Sequence, residues 1–299
     1  MGQRRRRDAS IAAMQGGRTR AFYRWRVVWG MIILLSAATS MAGAGQAPRI
    51  ALIIDDMGNN EMLGRWALHL PGSVTYAFLP HTPHGKDLAR AAYARHREIL
   101  LHLPMQPYDK TAHDKGMLRK GMAEAAFRRT LLSDIASIPH VSGVNNHRGS
   151  LLTSDTASMR RVMEGLRAFG LFFIDSRTAE SSVAEKVAME SGIPTASRNI
   201  FLDHVIERKA IEGQFGKLVR MARHRGTAIG IGHPHPETLS VLSKMLPRLK
   251  RLGIRLVPVS KLTKLPPRRK LWRASSSLSP KVAKNSKLSP LSICCDVPE

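Results

Sequence analysis

The chain has 299 residues, 43% of them apolar, with 47 Lys+Arg against 22 Asp+Glu, a formal charge of +25 and a pI near 11.2. That apolar share suffices for a core and excludes a wholly disordered polycation. The two cysteines, the adjacent Cys294 and Cys295, cannot bridge distant segments, which excludes a disulfide scaffold.

A pI this high points to nucleic acid or an anionic surface, unless the charge is segregated. Residues 1–47 carry eight arginines against Asp8, a net +7. Residues 261–299 carry nine basic residues against Asp296 and Glu299, again +7, which leaves +11 for 48–260. After the N-terminal arginines comes the uncharged stretch Val27 to Gly45, which ends in small residues including Ala42-Gly43-Ala44. A basic region, a short apolar core and an A-x-A site form the plan of a secretory signal. The strongly apolar part, Val27 to Leu35, is short for a hydrocarbon layer of ~30 Å. Its flanking alanines still permit an uncleaved signal-anchor with the arginines on the cytoplasmic side. Residues 1–47 are therefore expected to be a signal peptide or signal-anchor. The protein is expected to be exported to the periplasm or cell envelope, and anchored at the inner membrane if uncleaved.

From Arg49 onward, short apolar runs alternate with amphipathic segments. Strands are expected at 50–54, 74–79, 98–103, 141–145, 171–174, 228–231 and 255–259, with a weaker strand or loop at 195–202. Helices are expected at 85–96, 123–138, from Ser154 or Asp155 to Phe169, and at 182–191, 211–224 and 237–251. Gly192 and Gly253 serve as stops. This alternation implies parallel pairing through right-handed crossovers. The fold class is α/β, and seven or eight units fit a small (β/α) barrel, complete or incomplete, over 48–262. A doubly wound open sheet is the alternative, although no Gly-rich phosphate loop follows the first strand. Residues 263–299, rich in Ser, Lys and Pro, are expected to be a basic disordered tail.

The strand ends carry the chemistry. Asp55-Asp56 follows the first strand; His102 lies on the third; Asn145-Asn146-His147-Arg148-Gly149-Ser150 follows the fourth. Asp175-Ser176-Arg177 follows LFFI, Asp203-His204 ends the weak element, and His233-Pro234-His235 follows AIGI. In a barrel all these ends face one rim, where active sites are built. Carboxylate plus imidazole without cysteine is a ligand set for a divalent ion, zinc first. Three such ligands leave an open position that acidifies a water and polarises a carbonyl. A spare carboxylate can then take the water's proton, and a spare histidine can protonate a leaving group. This is machinery for hydrolysing an amide or an ester. The remaining histidines, His81 among them, are read as surface residues. Nucleic acid is not expected as a partner, since aromatic platforms are scarce at 5% of the chain.

The segments IIDDMGNN (53–60), LLHLPMQP (100–107), GVNNHRGS (143–150), FFIDSRT (172–178) and GIGHPHP (230–236) resemble the divergent polysaccharide deacetylase family, within the glycoside hydrolase/deacetylase (β/α) barrel superfamily. The resemblance implies an exported, metal-dependent carbohydrate deacetylase-like hydrolase acting on an acetylated cell-envelope polysaccharide. The alternative is a degenerate barrel that binds glycan without turnover. In mainstream members the first paired aspartate is the base and the second binds metal, which assigns Asp55 and Asp56. His147 matches the first histidine of the second motif, but Leu151 stands where the second would be. The missing ligand then falls to His235, His233 or His102, and His235 is assigned here, so that the implied metal set is Asp56, His147 and His235. His233 becomes the general acid, with Asp175 to orient it or to bind metal in its place. His102, Asn146 and Arg177 are assigned to substrate.

Overall fold

The computed structural model describes residues 46–265. The expected export signal or anchor and the basic tail lie outside the described residues, apart from their innermost ends. Among the described residues no helix is long and apolar enough to cross a membrane.

The strands are β1 (Arg49–Met57), β2 (Thr75–Phe78), β3 (Glu98–Met105), β4 (Gly143–Arg148), β5 (Phe172–Asp175), β6 (Thr195–Ser197), β7 (Ile200–Phe201), β8 (Thr227–Gly232) and β9 (Arg255–Leu256). The helices are α1 (Glu61–Leu68), α2 (Gly85–Ala94), α3 (Glu124–Ser137), α4 (Thr156–Ala168), α5 (Ala184–Glu190), α6 (Arg208–Arg225), α7 (Pro236–Met245) and α8 (Arg248–Arg251). The strands form one parallel sheet in the order β6-β5-β4-β3-β2-β1-β8-β7, with β9 also on β1. A doubly wound sheet would reverse its order beside the first strand. Here the order follows the chain from β6 to β1, and only β7 and β8 return on the other side, because β8 and β9 pair with the same residues of β1, Arg49 and Ile50, from opposite edges. The two edges, β6 and β7, are joined by Arg198 and Asn199 alone. Three Cα steps of ~3.8 Å cannot separate them by more than about 11 Å, so the sheet must curl nearly full circle. It is a (β/α) barrel open at one seam. Backbone bonds hold the seam on both sides: Arg198 N donates to Asp175 O, and Asn199 N to Ile229 O, both at 2.9 Å.

Side chains alternate across the wall. Ile50, Leu52 and Ile54 face the helices, whereas Ala51 and Ile53 point inward with Ala77, Leu100, Ile174, Ile229 and Ile231. Gly143 also lies on the inner face, where a Cβ would sit 2.5 Å from the Phe172 ring. Val257, Val259 and Leu262 close the lower mouth. There Val259 N donates to Thr75 Oγ1 (3.1 Å) and Ser260 N to Glu98 Oε2 (3.2 Å).

Four elements depart from the sequence reading. The unanticipated α1 starts at Asn60, whose side chain accepts from Leu63 N at 3.0 Å, and it carries the Glu61–Arg65 ion pair. The expected helix at 237–251 is two helices, broken around Pro247. The weak sixth element is two strands on opposite edges, and the last strand stops at Leu256, short of Pro258.

His81, read as a surface residue, is instead half-buried, and its Nε2 lies 2.8 Å from Asp134 Oδ1 on α3. Asp134 is fully buried, and its Oδ2 has no partner among the described residues. Gly116, at φ +77°, packs so closely that a Cβ would lie 2.2 Å from Asp134 Oδ1. Burial pushes the Asp134 carboxyl up to about 8, while burial, then Lys115 and Lys86, hold His81 below its usual range. The folded state thus binds the proton more tightly than the unfolded chain, whose carboxyl titrates near 3.9. Asp134 accordingly costs stability as pH climbs from about 4 to about 8. The Asp134→Asn variant is expected to gain on the parent by several degrees more at pH 9 than at pH 5, since ~1 kcal/mol shifts the Tm of such a domain by ~2–4 °C. Thermal melts at the two pH values test this, and an equal offset at both would contradict it.

Candidate functional site

The inward series of β1 leads from Ala51 and Ile53 to Asp55. In a regular strand the next residue, Asp56, would face the helices. Instead the β1–β2 register shifts between Ile54 and Met57, and Asp56 adopts φ +54°. This bulge turns both carboxylates to the rim, at the cost of a left-handed backbone at a non-glycine residue. His102 and Asn145 arrive side by side from the paired strands β3 and β4, in register with one another.

Three side chains converge. Asp56 Oδ1 lies 3.2 Å from His102 Nε2 and 3.0 Å from His147 Nδ1, and those two nitrogens are 3.2 Å apart. Asp56, His102 and His147 each offer a ligand atom within 4.8 Å of the others. Asp56 Oδ1 is buried yet makes no well-aligned hydrogen bond. A buried carboxylate oxygen crowded by two imidazole nitrogens without alignment fits a site shaped for a cation. Proton bookkeeping agrees. Asn145 Nδ2 donates to Asp55 Oδ1 at 2.8 Å, so its Oδ1 is the acceptor for His102 Nδ1–H at 2.9 Å. In the neutral ring this leaves Nε2 as the nitrogen with a lone pair towards the cluster, as a ligand requires. The ion implied by the fold family, zinc or a similar divalent cation, thus has a donor set that fits it.

The charges around this trio are tuned by burial. Burial alone would raise the Asp56 carboxyl, but His102 and His147 outweigh it and hold the group far below the usual carboxylate range. Burial also raises Asp55, and there it prevails over the opposing effect of His102 and His233. For His102, burial is outweighed by Asp55 and Asp56, and the ring is raised. Across the rim, His233 Nδ1 lies 2.9 Å from Asp203 Oδ1, while Asp203 Oδ2 accepts from His233 N (2.6 Å) and Thr238 Oγ1 (2.8 Å). Asp203 overcomes burial and lifts His233 to about 9, and His233 Nε2 faces Asp56 Oδ2 at 4.0 Å. Asp203, His233 and His235 also cluster. Both Asp203 oxygens are already committed to hydrogen bonds, so this group works as a carboxylate–histidine pair.

The placement revises several expectations. His102, assigned to substrate, is 2% exposed and belongs with Asp56 and His147. His235, assigned as a ligand, stands apart from that trio: its N donates to His233 O in a tight turn, and it precedes Pro236 at the start of α7. Asp203 takes the place expected for Asp175 beside His233. Asp175 is buried, with Oδ1 accepting from Arg177 N and Oδ2 from Ser182 Oγ, both at 2.8 Å. Asn146, assigned to substrate, is also buried and braces β4 to the β5 loop through Ser176 N, Arg148 O and Thr178 Oγ1. Arg177 stays at the rim, half-buried, with φ +51°. Asp203 was visible as a strand-end carboxylate. Asp114, whose Oδ2 lies 3.6 Å from His147 Nε2, was not singled out, because it sits in a long loop without periodicity.

Comparison with known proteins agrees with this architecture. The uncharacterized protein YibQ of Escherichia coli (strain K12) is 34% identical over 235 residues, covering 79% of this chain and 73% of its own. An uncharacterized protein of Haemophilus influenzae is 33% identical over 249 residues, covering 83% of this chain and 85% of its own. The crystal structure of uncharacterized protein ATU2773 from Agrobacterium tumefaciens C58 superposes with a TM-score of 0.70 at 25% identity, over 74% of this chain and 91% of that one. A sequence profile described as divergent polysaccharide deacetylase matches residues 52–263, and with the fold and the rim just described, the chain belongs to that family.

Proposed function

We propose that this protein is an exported, metal-dependent hydrolase that removes acetyl groups from a cell-envelope polysaccharide. One observation carries the reading: Asp56, His102 and His147 converge beside a buried carboxylate, Asp55, and opposite the His233–Asp203 pair. A divalent cation held by the trio supplies Lewis-acid polarisation of an acyl carbonyl and acidifies water. Asp55 takes the proton of the attacking water; its raised pKa makes it a stronger base than a solvated aspartate. His233, kept protonated by Asp203, gives its proton to the departing sugar nitrogen or oxygen. Arg177 lies where it can meet the substrate. The net +11 of residues 48–260 favours an anionic glycan, and the N-terminal signal or anchor delivers the chain to such a polymer.

The leucine at position 151 favours a second reading, a barrel that binds glycan without turnover. Acetate release from acetylated envelope glycan, assayed with full-length zinc-loaded protein, separates the two. Release that disappears in Asp55→Asn supports the hydrolase. Saturable glycan binding with no acetate supports the binder, and failure to bind zinc or glycan removes both.

A further inference from the structure

The loop between β3 and α3, residues 106–123, doubles back over the rim. Gln106 N donates to Leu118 O and Leu118 N to Pro104 O, both at 2.9 Å, and Lys120 N donates to Gln106 Oε1 at 2.9 Å. Further bonds tie it to the segment after β4: Tyr108 N donates to Ser150 Oγ (3.0 Å), and Leu152 N to Gln106 O (3.0 Å). These ties carry Asp114 to the far side of His147. Asp114 Oδ2 is buried and makes no aligned hydrogen bond, though Arg148 Nε stands 3.1 Å away and His147 Nε2 3.6 Å away.

We infer that Asp114 is a positioning residue for the metal centre, holding His147 so that it binds the cation through Nδ1; this rests on the metal reading above. His147 Nδ1 faces Asp56 and His102, so only the tautomer with hydrogen on Nε2 leaves a lone pair for an ion. A carboxylate on the Nε2 side favours that tautomer and fixes the ring plane. The 3.6 Å separation is that of an ion pair rather than of a direct hydrogen bond, and it orients the ring by charge. His102 receives the same service from Asn145, so each imidazole of the trio has its own outer partner. A carboxylate on His147 also strengthens that ligand more than a neutral amide would.

The test is a zinc dissociation constant, measured by chelator competition on full-length protein, together with the visible spectrum of the cobalt-substituted form. Asp114→Ala is expected to weaken zinc by ~10–100-fold and to shift the cobalt bands, with Asp114→Asn recovering part of the loss. Arg148→Gln separates this role from simple loop anchoring. If Asp114 serves His147, this variant keeps or tightens zinc binding, because the competing guanidinium is gone. Equal weakening in Arg148→Gln and Asp114→Ala would assign Asp114 to the loop and overturn the inference. Unchanged affinity and spectrum in Asp114→Ala would also overturn it. Failure of the parent to bind zinc would instead remove the metal reading itself.

Discussion

Replacing His102 with alanine is expected to strip the metal from the protein, whereas the same change at His235 leaves zinc content untouched. Loss of an outer partner costs ~10–100-fold in affinity, and loss of one of three direct ligands must exceed that. The expectation follows from position. The Asn145 bond puts the hydrogen of neutral His102 on Nδ1, so that Nε2 is the nitrogen offered towards Asp56 and His147, while His235 lies in a tight turn next to His233 and outside that trio. Metal content by elemental analysis, with zinc titration of both variants, decides the matter. Zinc retained in His102→Ala and lost in His235→Ala would reverse the assignment. Because His102 is buried, melting of the metal-free variant serves as the control for folding. This experiment also bears on Leu151, since a working His102 makes a histidine there unnecessary.

Asp55→Asn and His233→Gln are each expected to reduce kcat by ~10²–10⁴-fold with zinc still bound, the range for loss of a general base or acid. The pH dependence is more diagnostic than the size of the loss. Asp55 must be ionised to accept a proton, so kcat/KM rises as pH passes its burial-raised pKa. His233 must be protonated to donate, so kcat/KM falls as pH climbs through about 9. Asp203→Asn removes the partner that lifts His233 and is expected to move the falling limb toward the ordinary histidine value near 6.5. A pH–rate profile of parent and Asp203→Asn measures that displacement. An alkaline limb that stays put would take His233 out of the donor role.

Much of the architecture was legible because burial and period coincide. IALII, VTYAFL, EILLHL and LFFI are apolar runs flanked by turn residues and helical stretches, and each became a strand of the parallel sheet. Polar residues at the strand ends were equally legible as a rim. Their grouping was not, because it depends on which strands are neighbours. Asp175 and Asp203 look alike in sequence. Only the pairing of β7 with β8 brings Asp203 to His233, while Asp175 ends β5, beyond β6 and the seam. Adjacent residues such as Asp55 and Asp56 ordinarily face opposite ways, and the bulge that turns both to the rim has no local signature. Position 147 read as a ligand from its motif. Position 102 is indistinguishable in sequence from a core histidine until β3 lies in register with β4.

The strand order has a consequence for biogenesis. β1 carries both aspartates and emerges at the start of the domain, yet β8, the strand that lines one whole edge of it, is made some 170 residues later. Parallel pairing across such a separation forms late in folding. Until Thr227–Gly232 docks against Arg49–Ile54, β1 has an open edge, and His233 is absent from the rim. A chain still leaving the ribosome therefore has no assembled rim, and the complete candidate site appears only with the last third of the domain.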